Sequence, residues 1–424
     1  MKQIFTLWLV LAALASRLTA PAHADAVLDW NQHAATAIIS PAPIGAGKPA
    51  AIGLVDLAIV HTAIYDAVNA IAGSPFEPYA VTPTVTLPAS PEAAAATAGH
   101  DTLVALFPTQ QADLDAKYAA SLAQIPDGPA KTNGIAVGQQ TAAGILDLRA
   151  DDGRTEVVPY TPGSGPGVWN PTPPALLPAQ TPQLATVLPW TLESPDQFRA
   201  PGPPKLTSKK WERDYNEVKN LGRATGSTRT AEQTSVGFFW ADQPLLQWNR
   251  AWRGIAIAQG LSLEENARFF ALLATVSADS CIACWDSKYF YGFWRPVTAI
   301  RAGDTDGNPK TAPDPEWIGL AVTPNHPEYP AAHGCLSGAI THALRYFFGT
   351  DDVEFTIDSN VPDPTKPPPP VVRSYSSFSQ ALEEVLDARV YGGMHYRTST
   401  RHGEKIGKQV ARFATRHFFR RAKP

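Results

Sequence analysis

The sequence predicts an all-α fold, a helical bundle or pair of bundles with long proline-rich loops and at most one small β-hairpin. Three observations predict it. Apolar residues recur at helical spacing over many segments, alternation of period two is almost absent, and the periodic segments are closed by Pro, Gly or polar turns. With 424 residues, 44% hydrophobic and 17% charged, the chain can bury a large core in one big domain or two.

Residues 1–24 combine Lys2, an apolar run from Ile4 to Ala15 and an Ala22-His23-Ala24 step, the pattern of a secretory signal peptide. The expected mature chain begins near Asp25 and is exported. The apolar run is short for a membrane span, and no later segment offers about 18 uncharged apolar residues, so no stable membrane insertion is expected. Removing residues 1–24 takes away Lys2 and Arg17 and no acid, which moves the formal charge from -4 to -6. Such a surface gives no reason to expect nucleic acid. A strong anion site must therefore be built locally from clustered cations.

Helical periodicity covers 51–72, 91–106, 110–124, 130–149, 208–221 and 262–280. The short candidates 353–357 and 371–375 flank a proline-rich stretch and predict one hairpin. Residues 159–204 hold 13 of the 40 prolines, too many for a helix or central strand. Trp169, Leu177, Leu184, Leu188, Trp190 and Phe198 are interspersed along them, so the segment reads as an ordered belt lying on helices. It closes an N-terminal helical region, 25–205, ahead of a C-terminal one, 206–424. Three cysteines, Cys281, Cys284 and Cys335, leave at least one thiol unpaired; no second Cys or His pair follows Cys281 and Cys284 at zinc spacing, and buried small residues on a helix account for them.

The chemistry collects in the last 140 residues. In "KYFYGFWRP", Lys288 and Arg295 lie seven apart, nearly two helical turns, so both cations can project from one helix face before Pro296. In "HPEYPAAHG", Pro330 precedes Ala331, Ala332, His333 and Gly334, a helix start whose unpaired amides and small side chains let an anion approach. In "ARVYGGMHYR", Gly392 and Gly393 separate Arg389 from His395 and permit a break that brings both to one point. Taken singly, the cations fit a solvated face, His333 a cap or core histidine, and the glycines a loop. Together, three cations, an exposed helix N-terminus and two histidines meet the needs of a multiply charged tetrahedral oxyanion.

These segments resemble, in order and spacing, the three-part signature of the phosphatidic acid phosphatase type 2 and vanadium-dependent haloperoxidase superfamily: Lys, six residues, Arg-Pro; then Pro-Ser-Gly-His; then Ser-Arg, five residues, His. "WNQHAATAI", "AIVHTAIYDAVNAI" and "SFSQALEEVLDARVYGGMHYR" are similar to the secreted bacterial haloperoxidase-like branch. The resemblance implies vanadate, one per chain, bound through His395, with no haem or flavin. Lys288, Arg295 and Arg389 would neutralise it, the Ala332 amide would donate to it, and His333 would be the general acid and base. Lys288 would also polarise bound peroxide, and His326 would stand in the halide pocket in the manner of bromide-using relatives; read alone, His326 is a turn histidine between prolines. Ala331, Ala332 and Ala388 depart from the motif's Ser, Gly and Ser, and Ala331 removes one hydroxyl donor. The implied activity is halide oxidation by hydrogen peroxide, bromide favoured. A soluble acid phosphatase acting on a phosphate ester through a phosphohistidine, and a non-catalytic oxyanion binder, are the alternatives.

Overall fold

The computed structural model describes residues 25–423; residues 1–24, the expected signal peptide, lie outside the described residues. Among the described residues there are thirteen α-helices and one two-stranded sheet. The N-terminal helices are α1 (Ala26–Ile39), α2 (Ala50–Ile71), α3 (Pro91–Leu106), α4 (Gln111–Ala123) and α5 (Pro129–Leu148). After the belt come α6 (Lys209–Leu221), α7 (Ala231–Phe239), α8 (Pro244–Gln259), α9 (Leu263–Tyr291) and α10 (Pro296–Arg301). The chain ends with α11 (Ala332–Phe348), the hairpin β1 (Phe355–Ser359) and β2 (Val371–Tyr375), α12 (Phe378–Tyr391) and α13 (Arg397–His417).

Helix α9 is the axis of the core. A capping box at Ser262 and Glu265 starts it, and its residues from Phe269 to Lys288 are all buried. It packs against α2 on one side and against α11 and α13 on the other. Both α2 and α9 are long and apolar enough to cross a bilayer, yet 94% of the apolar window in each is buried inside the fold, which makes them core helices here.

Helices α11 and α13 approach at backbone distance because four glycines face one another. A Cβ at Gly334 would come 2.6 Å from Thr400 O, one at Gly403 2.5 Å from Ala331 O, and one at Gly407 2.2 Å from Cys335 O. Real side chains do not tolerate such distances, so only glycine lets the two helices seat this closely. The consequence is functional: the starts of α11 and α13, with His333 and His395, are pressed together.

The belt is ordered as expected. Trp169, Leu184 and Trp190 are buried, and Phe198 is half-buried against the core. Leu177 and Leu188 are exposed instead, at 51% and 53%. Polar anchors do the rest of the work: buried Asp279 accepts from Trp190 N, Thr191 N and Thr191 Oγ, and Asp286 pairs with Arg199 at 2.6 Å. The hairpin forms with its first strand two residues later than expected, Phe355 facing Tyr375 and Ser359 facing Val371. All three cysteines are free and buried.

Candidate oxyanion site

One sequence expectation about this site needs correction. Lys288 and Arg295 do not share a helix. Helix α9 ends at Tyr291, where Gly292 adopts the left-handed conformation, φ 52°, that favours glycine, and Arg295 is the residue capping the start of α10, with Pro296 at its first position. A turn of the chain, and not helical phase, brings the two cations together. Arg389 and His395 behave as expected: Arg389 lies in the last turn of α12, Gly393 turns at φ 76°, and the His395 amide bonds back to Arg389 O at 3.2 Å before α13 begins.

The residues converge from five places in the chain. The Arg295 guanidinium donates from Nε to His326 O at 2.9 Å and from Nη1 to Met394 O at 3.0 Å. The same Nη1 lies 3.2 Å from His395 Nε2, and Nη2 lies 3.1 Å from His326 Nδ1. Because an arginine can only donate, both ring nitrogens accept. Lys288 Nζ donates to Pro327 O and Glu328 O, each at 2.9 Å, which leaves one of its three N–H groups. Arg389 donates to Trp240 O at 2.7 Å, while its buried Nε has no partner among the described residues.

Glu328 also belongs to the site. Its carboxylate is fully buried and accepts from His395 Nδ1 at 2.8 Å and from the Tyr396 amide at 3.2 Å. A carboxyl in the middle of "HPEYP" carries no sequence signal of its own; only the fold puts it beneath a histidine 67 positions away. Burial pushes its pKa up to about 7 against the pull of Lys288 and Arg295. The Nδ1–H···carboxylate bond fixes the tautomer, so the Nε2 lone pair of His395 is turned away from Glu328, on the side where Arg295 Nη1 donates to it.

Electrostatically the site is short of negative charge. Lys288, Arg295 and Arg389 are all essentially inaccessible, with Glu328 as the acid among them. Burial lowers Lys288 to about 8, Arg295 to about 10 and Arg389 to about 9, and the Arg295 charge adds to the fall at Lys288 and Arg389. The same causes hold His326, His333 and His395 well below the ordinary imidazole range, so all three are neutral. Buried cations in this excess call for an anion. A cavity of ≈ 180 Å³ meets them, lined by His326, Ala332, His333, Arg389 and His395 on its polar side. Arg295 reaches the lining histidines His326 and His395 through its own bonds, and Lys288 bonds to Pro327 O and Glu328 O. Helix α11 opens into the cavity with Ala331 as its cap residue and no side-chain cap; the first intrahelical bond is Cys335 N to Ala331 O. The amides of Ala332, His333 and Gly334 make no hydrogen bond among the described residues, and His333 Nε2 has no partner there either. Unpaired amides at a helix start, an unpaired buried Arg389 Nε and the unpartnered Nε2 of His333 suit an oxyanion seated beside His395. Among the described residues no three His, Cys, Asp or Glu side chains gather as a cation site.

Comparison with known proteins agrees with the helical fold. Residues 268–424 match the model of the VCPO second helical-bundle domain. A vanadium chloroperoxidase of Curvularia inaequalis is 26% identical over 259 residues, a stretch that covers 46% of this chain and 42% of that protein, so the match spans less than half of the relative's length. Among solved structures, the first bacterial vanadium-dependent iodoperoxidase superposes with a TM-score of 0.77 at 24% identity, covering 94% of this chain and 97% of that one. The holo-type bacterial vanadium-dependent chloroperoxidase superposes with a TM-score of 0.69 at 19% identity, covering 92% and 97%.

Proposed function

We propose that this chain is a member of the vanadium haloperoxidase superfamily that binds vanadate at His395 and oxidises halide, bromide in particular, with hydrogen peroxide. The observation that carries the reading is the buried surplus of positive charge around one neutral histidine whose Nε2 lone pair faces the Arg295 guanidinium. Vanadate, when bound, supplies a Lewis-acidic centre that activates peroxide without changing its own oxidation state. Everything else is the work of the protein. Lys288, Arg295 and Arg389 neutralise the oxyanion in a water-poor site, where fixed charges act most strongly. The Ala332 amide adds a donor along the axis of α11. His333, neutral and unpartnered at Nε2, takes a proton from incoming peroxide and returns it to the departing oxygen. Glu328 holds the Nδ1 proton of His395 throughout. His326 accepts from Arg295 at Nδ1 and therefore carries its proton on Nε2, a donor for the halide. Trp285, Leu54 and Leu336 close the apolar side and limit water.

A parallel assay tests this reading. The purified protein, loaded with vanadate, should oxidise bromide in a peroxide-dependent way, and without vanadate should not turn over an aryl phosphate. Phosphate-ester hydrolysis without bromide oxidation would assign the same residues to a phosphohistidine mechanism. His395→Ala should remove more than nine-tenths of whichever activity is present while thermal unfolding stays cooperative.

Export belongs to the same proposal. Asp25 caps α1 through bonds to the Val27 and Leu28 amides, so cleavage after Ala24 would leave that cap in place. N-terminal sequencing of the exported protein should begin at or near Asp25.

A further inference from the structure

The belt does more than cover the core: between Pro178 and Pro182 it reaches the cavity, and there it is fastened more densely than its loop character requires. Gln180 N donates to Asn325 O at 2.8 Å, and Asn325 Nδ2 returns a bond to Pro178 O at 2.7 Å. Tyr289 Oη donates to Gln180 O at 2.7 Å, and Trp285 Nε1 donates to Thr181 Oγ at 3.1 Å. Thr181 itself sits in the left-handed region at φ 51°, a conformation a β-branched residue adopts only when its surroundings impose it. Four hydrogen bonds and a strained residue thus fix the backbone on both sides of one side chain. That side chain, Gln180, lines the cavity together with Trp285, His326, His333 and His395. Its carboxamide makes no hydrogen bond among the described residues, although it offers two donors and an acceptor.

We propose that Gln180 is a specificity-determining residue of the site, its carboxamide N–H donating to the small halide anion held against the Trp285 and His326 wall. The inference rests on the peroxidase reading for the identity of the anion. The location argues for the halide over the oxyanion. Gln180 is tied to Trp285 through Thr181 and to the residue preceding His326, whereas the free amides belong to the start of α11 and the cation that lines the cavity, Arg389, to α12. The Trp285 and His326 rings lie 4.9 Å apart, tilted at 42°, so the three residues form one continuous wall. A neutral amide suits this place. It recognises a monovalent anion without adding charge to a site already rich in buried cations, and a carboxylate there would repel the anion.

Bromide is the probe, read in two ways. Crystals of the full protein soaked in bromide should show an anomalous peak within hydrogen-bond distance of the Gln180 carboxamide, and Gln180→Ala should lose it. In steady state, Gln180→Glu should raise the KM for bromide about ten-fold or more and Gln180→Ala by several-fold, the scale of one hydrogen bond to a charged partner. The KM for peroxide and the half-saturating vanadate concentration should stay within two-fold in both variants. A wild-type crystal with no bromide at Gln180, or bromide elsewhere in the cavity, overturns the proposal. So does a peak at Gln180 with an unchanged bromide KM, which would mark an adventitious ion only, or a parallel loss of vanadate affinity, which would mark a role in shape. If the wild-type protein oxidises no bromide, the peroxidase reading fails by itself, and the anomalous peak still decides whether Gln180 holds an anion.

Discussion

Glu328 Oε1 lies 2.8 Å from His395 Nδ1, and both side chains are buried, at 0% and 1% exposure. The pair has the form of a carboxylate orienting a histidine whose other nitrogen does the bonding. Tyr396 N, donating to the same oxygen at 3.2 Å, keeps the carboxylate from rotating away. Without the carboxylate charge, the imidazole loses both its preferred tautomer and part of its basicity. Glu328→Gln should therefore weaken half-saturating vanadate by about 10- to 100-fold, as removal of such partners commonly does. The near-isosteric amide should leave the fold intact, which thermal unfolding checks. A vanadate requirement within two-fold of the wild type would mean that packing alone orients His395.

The cation cluster makes a prediction that runs against ordinary expectation for core mutations. Arg389 is buried with its Nε unpaired and a second guanidinium, Arg295, nearby, so the anion-free protein carries the cost of like charge in a low-dielectric site. Arg389→Met should leave the anion-free protein as stable as the wild type or more so, within the range of about 0 to 4 kcal/mol seen when buried charge is replaced by apolar groups. The same variant should lose the rise in melting temperature that orthovanadate or orthophosphate gives the wild type, since a ligand stabilises only through differential binding to the folded state. A large drop in anion-free stability would show that the bond from Arg389 to Trp240 O outweighs the charge.

Much of this site could be read from the chain, and the part that could not has a physical reason. Lys288, Arg295, His333, Arg389 and His395 carry motif spacing, and the Gly392-Gly393 break predicts its own turn. Arg295 was legible as a residue but not as a position, because Gly292 ends α9 early and a helical pattern does not reveal where the left-handed cap falls. Helices α1, α7 and α8 escaped the periodicity reading: α1 mixes Asn31 and His33 into its apolar face, α7 is only 9 residues long, and α8 buries Gln247 and Asn249. Glu328 and Gln180 were illegible for a simpler reason. Their roles come from contacts across 67 and more than 100 positions, which no local spacing encodes.

The buried polar residues that obscured those helices have their own consequence for pH. Asn31 Oδ1 accepts from Arg253 at 2.6 Å, so its Nδ2 must donate to His61 Nε2 at 2.9 Å. His61 is then neutral, with Nδ1–H unpaired in the core, and burial lowers its pKa to about 3. Between about 3 and the ordinary value of 6.5 the unfolded chain binds a proton at this position that the folded chain does not. Stability from this group is therefore complete above pH 6.5 and lost as pH falls, at up to about 1.4 kcal/mol per pH unit. His61→Gln, whose Oε1 can take the Asn31 hydrogen bond, should flatten the fall in melting temperature between pH 6.5 and 4. Curves for wild type and variant that run parallel would show that His61 does not couple to folding in this range.

Ala331 bears on how much the departure from the signature matters. It caps α11 in an extended conformation, φ -71° and ψ 120°, with its own amide bonded to Ser399 O at 3.1 Å. Its methyl group is buried beside the free amides of Ala332, His333 and Gly334. A serine here would have one donor and two acceptor sites. Its oxygen can accept from an amide of the first turn, worth about 1 kcal/mol of stability, while its proton remains available to an anion seated over the same turn. Ala331→Ser should therefore tighten vanadate by roughly ten- to a hundred-fold, the value of about 1.5 to 3 kcal/mol for a hydrogen bond to a charged partner. Titration of anion-free protein, followed both by bromide oxidation and by thermal shift, reads the two effects separately. A higher melting temperature with unchanged vanadate affinity would place the hydroxyl on the helix alone, and residue 331 would then face the backbone of α11 and not the anion.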